Sequence, residues 1–225
     1  MAVDKDKYLQ IKEELSEKNI TLVAVSKSKP ITDILELYES GHRDFGENYV
    51  QELLEKQSHL PQDIRWHFIG HLQTNKVKFI APFVHLIHVA DSFKLCKEIN
   101  KQGEKNNRSI NVLLQVHIAQ EETKFGLNEE ELKQLMYQLE INRSSLQHIS
   151  VQGLMGMASF TDDHEQVRKE FRFLKNLFDE YKQLQTTNCN LQTLSMGMSS
   201  DYKIAIEEGT TMVRIGSLLF GERRG

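Results

Sequence analysis

The first candidate for chemistry is a lysine at the end of a predicted strand. Residues 21–27 form an apolar, β-branched run that predicts a buried strand, and Pro30 prevents the run from continuing. Because side chains alternate along a strand, Lys27 shares a face with Val23 and Val25. Burial of a lysine amine lowers its pKa from about 10.4 and makes it a nucleophile. A lysine whose charged end reaches solvent is the alternative, and it would be favoured if Lys27 stood alone.

Polar residues near the ends of the last two predicted strands are suited to an anion. Ser199 is predicted to begin a helix, whose first backbone amides are free to bind a negative charge. Gly216 and Ser217 allow the backbone to approach a ligand closely. Arg214 lies inside an apolar strand, where an unpaired charge is costly, so a ligand atom is its expected partner. Together with Lys27, these residues predict a phosphorylated aldehyde bound covalently, and pyridoxal phosphate fits that description best.

The predicted elements bring these residues together. An amphipathic helix over residues 4–18 precedes strands at 21–27, 44–48, 65–70, 86–89, 111–118, 148–157, 191–198 and 211–220, with helices between them. Strict alternation of strand and helix predicts a parallel sheet, and eight repeats predict a TIM barrel. An open doubly wound sheet is the alternative, but its glycine-rich first turn is absent. The expected fold is therefore α/β, a single-domain (β/α)8 barrel over residues 1–225 with an additional N-terminal helix.

In such a barrel the functional site lies at the carboxyl ends of the strands. In strand order, the residues expected at this rim are Lys27, Asn48, His67 with Gly70, Gln115 with His117, Met155, Ser199, and Arg214 with Gly216 and Ser217. His67 fits a hydrogen-bonded core position and a pocket wall equally well. Met155 is the methionine expected to contact a bound ring, whereas the other methionines are expected to pack in the core.

Composition excludes several classes of partner. The 225 residues carry a formal charge of −4, which gives no basic surface for nucleic acid. No apolar run approaches the roughly 20 residues that cross a bilayer, and the charged N-terminus resembles neither a signal nor a transit peptide. The two cysteines are far apart, which fits a reducing compartment and predicts no metal site. We expect a cytoplasmic protein that binds neither nucleic acid nor membranes.

Seven motifs in order resemble the pyridoxal phosphate homeostasis protein family, also called the YggS or PROSC family. They are AVSKSKP at 24–30, FGENYVQE at 45–52, WHFIGHLQTNK at 66–76, EETKFG at 121–126, GLMGM at 153–157, LSMGMSSD at 194–201 and MVRIGSLLFG at 212–221. The resemblance implies a fold-type III barrel similar to the N-terminal domain of bacterial alanine racemase. The sequence departs from the expected pattern at His117, where asparagine is expected.

The resemblance also implies a role for each candidate residue. Lys27 would carry pyridoxal phosphate as a Schiff base, and Arg214 would face the pyridine nitrogen. The phosphate would be held by Ser199, Gly216 and Ser217, and the pocket would be lined by Asn48, His67 and Met155. The implied role is vitamin B6 homeostasis within the cell, with apo-forms of pyridoxal phosphate enzymes as possible recipients. We expect the protein to be a monomer.

Two enzymatic alternatives remain at this point. A Schiff-base aldolase needs an acid beside the lysine, and no carboxylate is expected at the strand ends.

An amino-acid racemase needs a second proton donor opposite the lysine. In the similar alanine racemase, this donor is a tyrosine from the partner subunit, and a second domain helps to build the site. Here the sequence ends at Gly225, directly after the eighth predicted strand, and the tyrosines fall mostly on predicted helices. His67 is the one side chain expected to substitute. We therefore expect a cofactor carrier, not an enzyme.

Overall fold

Eight parallel strands form a closed barrel in which each strand pairs with its neighbours in chain order. The computed structural model describes residues 3–121, 125–183 and 189–221. The strands are β1 (Thr21–Val25), β2 (Asp44–Glu47), β3 (Arg65–Phe68), β4 (Leu86–Ala90), β5 (Ile110–His117), β6 (Ile149–Met157), β7 (Cys189–Ser195) and β8 (Met212–Ile215). Pairing of β1 with β8 closes the barrel and places Val23 opposite Arg214. The predicted parallel α/β barrel is confirmed.

Helices surround the barrel and connect successive strands. They are α1 (Lys5–Ser16), α2 (Ile31–Glu39), α3 (Val50–His59), α4 (Val77–Ile80), α5 (Phe93–Lys105), α6 (Glu129–Ile141), α7 (His164–Lys182), α8 (Tyr202–Glu207) and α9 (Ser217–Phe220), with short 3-10 turns at Thr74–Lys76 and Arg143–Ser145. The additional N-terminal helix is α1, which begins where the side chain of Asp4 accepts a hydrogen bond from the Lys7 amide. Its predicted apolar face of Tyr8, Ile11 and Leu15 is fully buried. In the part of the chain that the structure describes, no helix has both the length and the apolar character needed to cross a bilayer.

The chain turns earlier than predicted at both strands that border the expected site. Strand β1 ends at Val25, and Ser28 then adopts a left-handed conformation with φ +60°. Strand β8 ends at Ile215, so the residues predicted to be its second half form α9. The Lys29 Nζ donates to the Phe220 and Gly221 carbonyls at 2.8 and 3.1 Å, which satisfies the end of this short helix.

The predicted helix start at Ser199 is wrong. Helix α8 begins three residues later, at Tyr202, and Asp201 occupies the position before it. The Asp201 carboxylate accepts a hydrogen bond from the Met198 amide, and the Asp201 amide donates to the Met198 carbonyl at 3.2 Å. These bonds form a tight turn between β7 and α8. Ser199 therefore lies in a turn, and any contribution to anion binding must come from its hydroxyl and not from a helix terminus.

Candidate functional site

The segment that carries Lys27 is fixed on both sides by carboxylates. Ser26 is buried, and its Oγ donates to Glu47 Oε1 at 2.6 Å. On the other side, the Ser28 amide donates to Glu52 Oε1 at 2.6 Å. Glu47 ends β2 and Glu52 lies on α3, so a neighbouring strand and a helix together hold the turn. The half-buried Lys27 lies between these two anchors and directly after β1.

A buried ammonium group joins the two carboxylates. The Lys56 Nζ donates to Glu47 Oε1, to Glu52 Oε1 and to the Ser26 carbonyl, each at 2.7 Å. Its side chain is only 5% exposed and that of Glu47 is fully buried. Burial raises the pKa of Glu47, and the adjacent Lys56 opposes this rise. We call Glu47, Glu52 and Lys56 the Lys56 cluster; it supports the lysine turn from outside the barrel.

Three residues predicted to hold an anion meet beside β1. The Gly216 amide donates to Ser199 Oγ at 3.2 Å, and Ser217 begins α9 directly afterwards. A Cβ on Gly216 would lie 3.2 Å from the Val25 carbonyl oxygen and 3.3 Å from the Val25 Cβ, which is closer than ordinary packing allows. Glycine at residue 216 thus allows this close approach to β1 without a shift of Val25. Gly216, which is hydrogen-bonded to Ser199 and followed by Ser217, thus lies against Val25, and Val25 precedes Lys27 by two residues.

Arg214 lies almost completely buried inside the barrel. One terminal nitrogen donates to Ser195 Oγ at 2.6 Å, and the other donates to the Gly156 carbonyl at 3.0 Å. Burial lowers its pKa to about 10, so the guanidinium stays charged at neutral pH. The sequence argument that a ligand atom must be its partner is therefore incomplete, because the barrel itself supplies two acceptors.

Asn48 and Met155 occupy different depths of the same interior. Asn48 follows β2, and its Oδ1 is buried without a hydrogen-bond partner among the described residues. Its backbone is closely packed, since a Cβ on Gly70 would lie 2.1 Å from the Asn48 carbonyl oxygen. Met155 is buried in β6, where it pairs with Ser195 of β7. An unsatisfied amide oxygen at the end of a strand is suited to a ligand donor.

Gln115 and His117, the two residues of β5 expected at the rim, have backbone partners. Gln115 Nε2 donates to the Phe125 carbonyl at 2.8 Å, and His117 Nε2 contacts the Glu121 carbonyl at 2.9 Å. Both side chains therefore hold the segment that follows β5. Residues 122–124 of the EETKFG motif lie outside the described residues.

The prediction that His67 lies at the rim is wrong. Its Nε2 is 3.0 Å from Asp44 Oδ1, and its Nδ1 is 2.9 Å from His88 Nε2. Asp44 is the first residue of β2, so these contacts place the His67 ring towards the amino-terminal ends of the strands, away from Lys27. The reason is register, because β3 ends at Phe68 and His67 lies inside its ladder, opposite Gly46.

One group of side chains has the composition of a metal site. The nearest ligand atoms of Asp44, His67 and His85 lie within 4.8 Å of one another. However, the Asp44 carboxylate already accepts two hydrogen bonds from Arg65 and one from His67. A cationic arginine on the same carboxylate disfavours a divalent ion. We therefore assign no metal to this group.

Sequence reasoning missed the residues that support the site. Lys56 and Glu52 are ordinary charges on an amphipathic helix, and only the folded chain shows that they meet Glu47. His88 and Ser195 were likewise not recognised, although both residues are completely buried. The available signal was a polar residue within an apolar strand: His88 in IHVA at 87–90 and Ser195 in TLSM at 193–196.

Comparison with known proteins identifies the class of barrel. The family model described as "Alanine racemase, N-terminal domain" matches residues 5–224. Alanine racemase of Clostridium difficile shares 18% identity at a TM-score of 0.69; the match covers 96% of this chain and 56% of that one, and it shows the fold alone.

Closer relatives define the family within this class. A "Pyridoxal phosphate homeostasis protein" of Aquifex aeolicus is 47% identical over 90% of this chain and 87% of its own length. One from Escherichia coli K12 is 37% identical over 92% and 88%. PipY of Synechococcus elongatus is 33% identical over 96% of this chain and 99% of its own, with TM-scores of 0.88 without pyridoxal phosphate and 0.86 with it bound. The chain therefore belongs to the pyridoxal phosphate homeostasis protein family.

The Lys56 cluster gives a prediction about stability. Replacing Lys56 by Met leaves the buried Glu47 without its countercharge, so the free energy of unfolding should fall by about 3–5 kcal/mol. Urea denaturation at neutral pH measures this change. Adding Glu47→Gln to Lys56→Met should recover part of the loss, because the uncompensated charge is then removed.

A matched control is Lys175→Met. Lys175 pairs with Asp179 on the surface of α7, and such pairs contribute about 0–1 kcal/mol. If Lys56→Met costs no more than Lys175→Met, the Lys56 cluster does not hold the lysine turn.

Proposed function

We propose that this protein binds pyridoxal phosphate as a Schiff base on Lys27 and serves intracellular pyridoxal phosphate homeostasis. The observation that carries the proposal is the approach of Gly216 to Val25, which brings an anion cradle next to the turn that contains Lys27. Relatives named for pyridoxal phosphate homeostasis, and a PipY structure with pyridoxal phosphate bound, support it.

The residues present fit each part of this cofactor. The Ser199 hydroxyl, which accepts from the Gly216 amide and keeps its own proton, and the start of α9 at Ser217 offer donors to a phosphate. Arg214 offers a charged donor to the pyridine side, and the unsatisfied Oδ1 of Asn48 can accept a hydrogen bond. When bound, pyridoxal phosphate supplies an aldehyde that condenses with a primary amine. Lys27 provides that amine, and Met155 borders the interior below it.

We extend the proposal to the setting of the protein. It works as a monomer in the cytoplasm, and apo-forms of pyridoxal phosphate enzymes are its recipients. The two described cysteines, Cys96 and Cys189, are buried free thiols, which suits a reducing compartment. The homeostasis names of the relatives support a carrier role.

The first test is covalent attachment. Purified protein incubated with pyridoxal phosphate should show a visible absorption band, and borohydride followed by peptide mapping should place the pyridoxyl group on Lys27. Lys27→Ala should lose the band, whereas Lys203→Ala, which changes an exposed lysine on α8, should keep it. Label on Lys29, or no band at all, would reject the assignment.

The second test concerns the anion cradle. Replacing Ser199 by Ala removes one hydrogen bond to a charged group, worth roughly 1.5–3 kcal/mol, so pyridoxal phosphate should dissociate about ten- to a hundred-fold more readily. Equilibrium binding at fixed ionic strength measures this change. The neighbouring Ser200→Ala is the matched control and should bind normally. Equal affinities of the two variants would remove Ser199 from the cradle.

We also propose that the protein is not an amino-acid racemase. The sequence analysis named His67 as the side chain that could replace the second proton donor. Its ring bonds to Asp44, towards the amino-terminal ends of the strands and away from the rim. Burial raises the pKa of Cys96 to about 12 and that of Cys189 to about 11, so neither thiol is a ready proton donor. Among the tyrosines, Tyr49 is the exception to the predicted helical placement, because it lies between β2 and α3 and is exposed.

The test of this proposal therefore includes a Tyr49→Phe variant. Protein loaded with pyridoxal phosphate is incubated with single L-amino acids in deuterated water. We expect slow α-proton exchange with retained configuration, because one base acts from one side. Steady formation of D-amino acid that disappears in Tyr49→Phe and persists in Tyr137→Phe, an exposed tyrosine of α6, would show a two-base racemase.

A further inference from the structure

A series of direct hydrogen bonds connects Arg214 to the opposite end of the barrel. Arg214 donates to Ser195 Oγ at 2.6 Å, and Ser195 Oγ lies 3.3 Å from His88 Nδ1. His88 Nε2 is 2.9 Å from His67 Nδ1, and His67 Nε2 is 3.0 Å from Asp44 Oδ1. Strands β4 and β7 are not neighbours, so the contact between His88 and Ser195 crosses the barrel interior. We call these five residues the Asp44 relay.

With both histidines neutral, the chemistry of the end residues fixes the direction of every bond. A guanidinium can only donate, so Ser195 Oγ accepts from Arg214, and its own proton is available to His88 Nδ1. A neutral imidazole that accepts at Nδ1 carries its proton at Nε2, so His88 donates to His67 Nδ1. By the same rule His67 donates from Nε2 to the Asp44 carboxylate, which can only accept. All four bonds therefore point from the cation to the anion.

The surroundings favour the neutral form of His88. Burial lowers the pKa of His88 well below its usual value, and the charge of Arg214 acts in the same direction. Burial alone would raise the pKa of Asp44, but hydrogen bonds from Arg65 and His67 lower it below its usual range. The relay thus has a cation at one end and an anion at the other, and the three residues between them, Ser195, His88 and His67, are at most 1% exposed.

The Asp44 end reaches the surface on the face opposite Lys27. There a cleft of about 550 Å³ is lined by polar side chains that include Lys12, His42, Asp44, Arg65 and His85. The Arg65 side chain is 49% exposed and donates to Asp44 Oδ1 at 2.7 Å through Nε. An interior hydrogen-bond series that runs from Arg214 to this face is more than fold stability requires, since an apolar interior would avoid its desolvation cost.

We propose that Ser195, His88, His67 and Asp44 are positioning residues that orient Arg214 towards the ring of the bound cofactor and keep it a charged donor. This inference rests on the proposed function, because the ring is that of pyridoxal phosphate. A charged donor opposite the pyridine nitrogen disfavours protonation of that nitrogen. Through Arg214 these four residues thereby set the electronic state of the cofactor, from as far as the opposite side of the barrel.

The first experiment tests the relay in the ligand-free protein. Long-range ¹H–¹⁵N correlation spectra report which ring nitrogen of each histidine carries hydrogen, and single-histidine variants assign the signals. We expect His67 and His88 both to be neutral and protonated at Nε2. A proton on Nδ1 of either ring, or on both nitrogens, would overturn the relay. Because no cofactor is present, this result stands apart from the proposed function.

The second experiment reads the effect at the cofactor. His88→Phe and Ser195→Ala each break the relay beside Arg214, and both should shift the visible band of bound pyridoxal phosphate and weaken its retention about ten-fold. His85→Phe is the matched control, because the His85 ring lies 5.3 Å from that of His67 but outside the relay. Thermal unfolding of each variant shows that it is folded, and Ser195→Ala removes too little volume to disrupt the core.

The outcomes separate the two proposals. A shifted band in His88→Phe and Ser195→Ala, with an unchanged band in His85→Phe, supports the positioning role. Folded relay variants with the wild-type band and wild-type retention would overturn it while leaving covalent binding at Lys27 intact. Failure of the wild-type protein to bind pyridoxal phosphate would instead reject the proposed function, and the histidine tautomers would then show whether the hydrogen-bonded relay exists.

Discussion

The burial of a guanidinium inside a closed parallel barrel is the constraint on which much of this structure depends. Arg214 is only 4% exposed, so its donors must find acceptors on neighbouring strands. Ser195 and the Gly156 carbonyl meet this need, and Ser195 in turn requires an acceptor for its own proton. Each polar residue added to the interior in turn needs a hydrogen-bond partner of its own. The series ends where a carboxylate can be paired with a partly exposed arginine, which is the position of Asp44 and Arg65.

Strand β2 serves both sides of the barrel wall through simple alternation. Its inward residues run from Asp44, which ends the relay, through Gly46 to Asn48 near the rim. Its outward residue Glu47 instead joins Lys56 and holds Ser26. A shift of one residue would exchange these two faces and disrupt both networks. The register of this short strand is therefore specified by charge as well as by apolar packing.

The fold was accessible from the sequence because alternation of strand and helix is a local pattern repeated along the chain. Lys27 and Ser199 were found by the same logic, since one ends and the other follows a predicted strand, whereas Gly216 and Ser217 were singled out within a predicted strand that in fact ends at Ile215. His67 was misplaced because its depth depends on where β3 ends, and strand ends are poorly marked in sequence. The Lys56 cluster and the link from His88 to Ser195 join residues that are distant along the chain. No local pattern encodes such contacts, so they required the closed barrel.

The two ends of the proposed cofactor site are mechanically connected through the lysine turn. Lys27 lies in this turn, and Lys29, two residues later, donates to the carbonyls that end α9. The start of α9 at Ser217 belongs to the anion cradle, and the Leu219 carbonyl of the same helix accepts from the Asp4 amide at 2.9 Å. A helix of four residues has little stability of its own, so its position depends on these external bonds. The turn that carries Lys27 thus also holds the helix that begins at Ser217, so the two ends of the proposed site are not positioned independently. Such coupling suits the proposed role of a carrier that holds its cofactor at both ends.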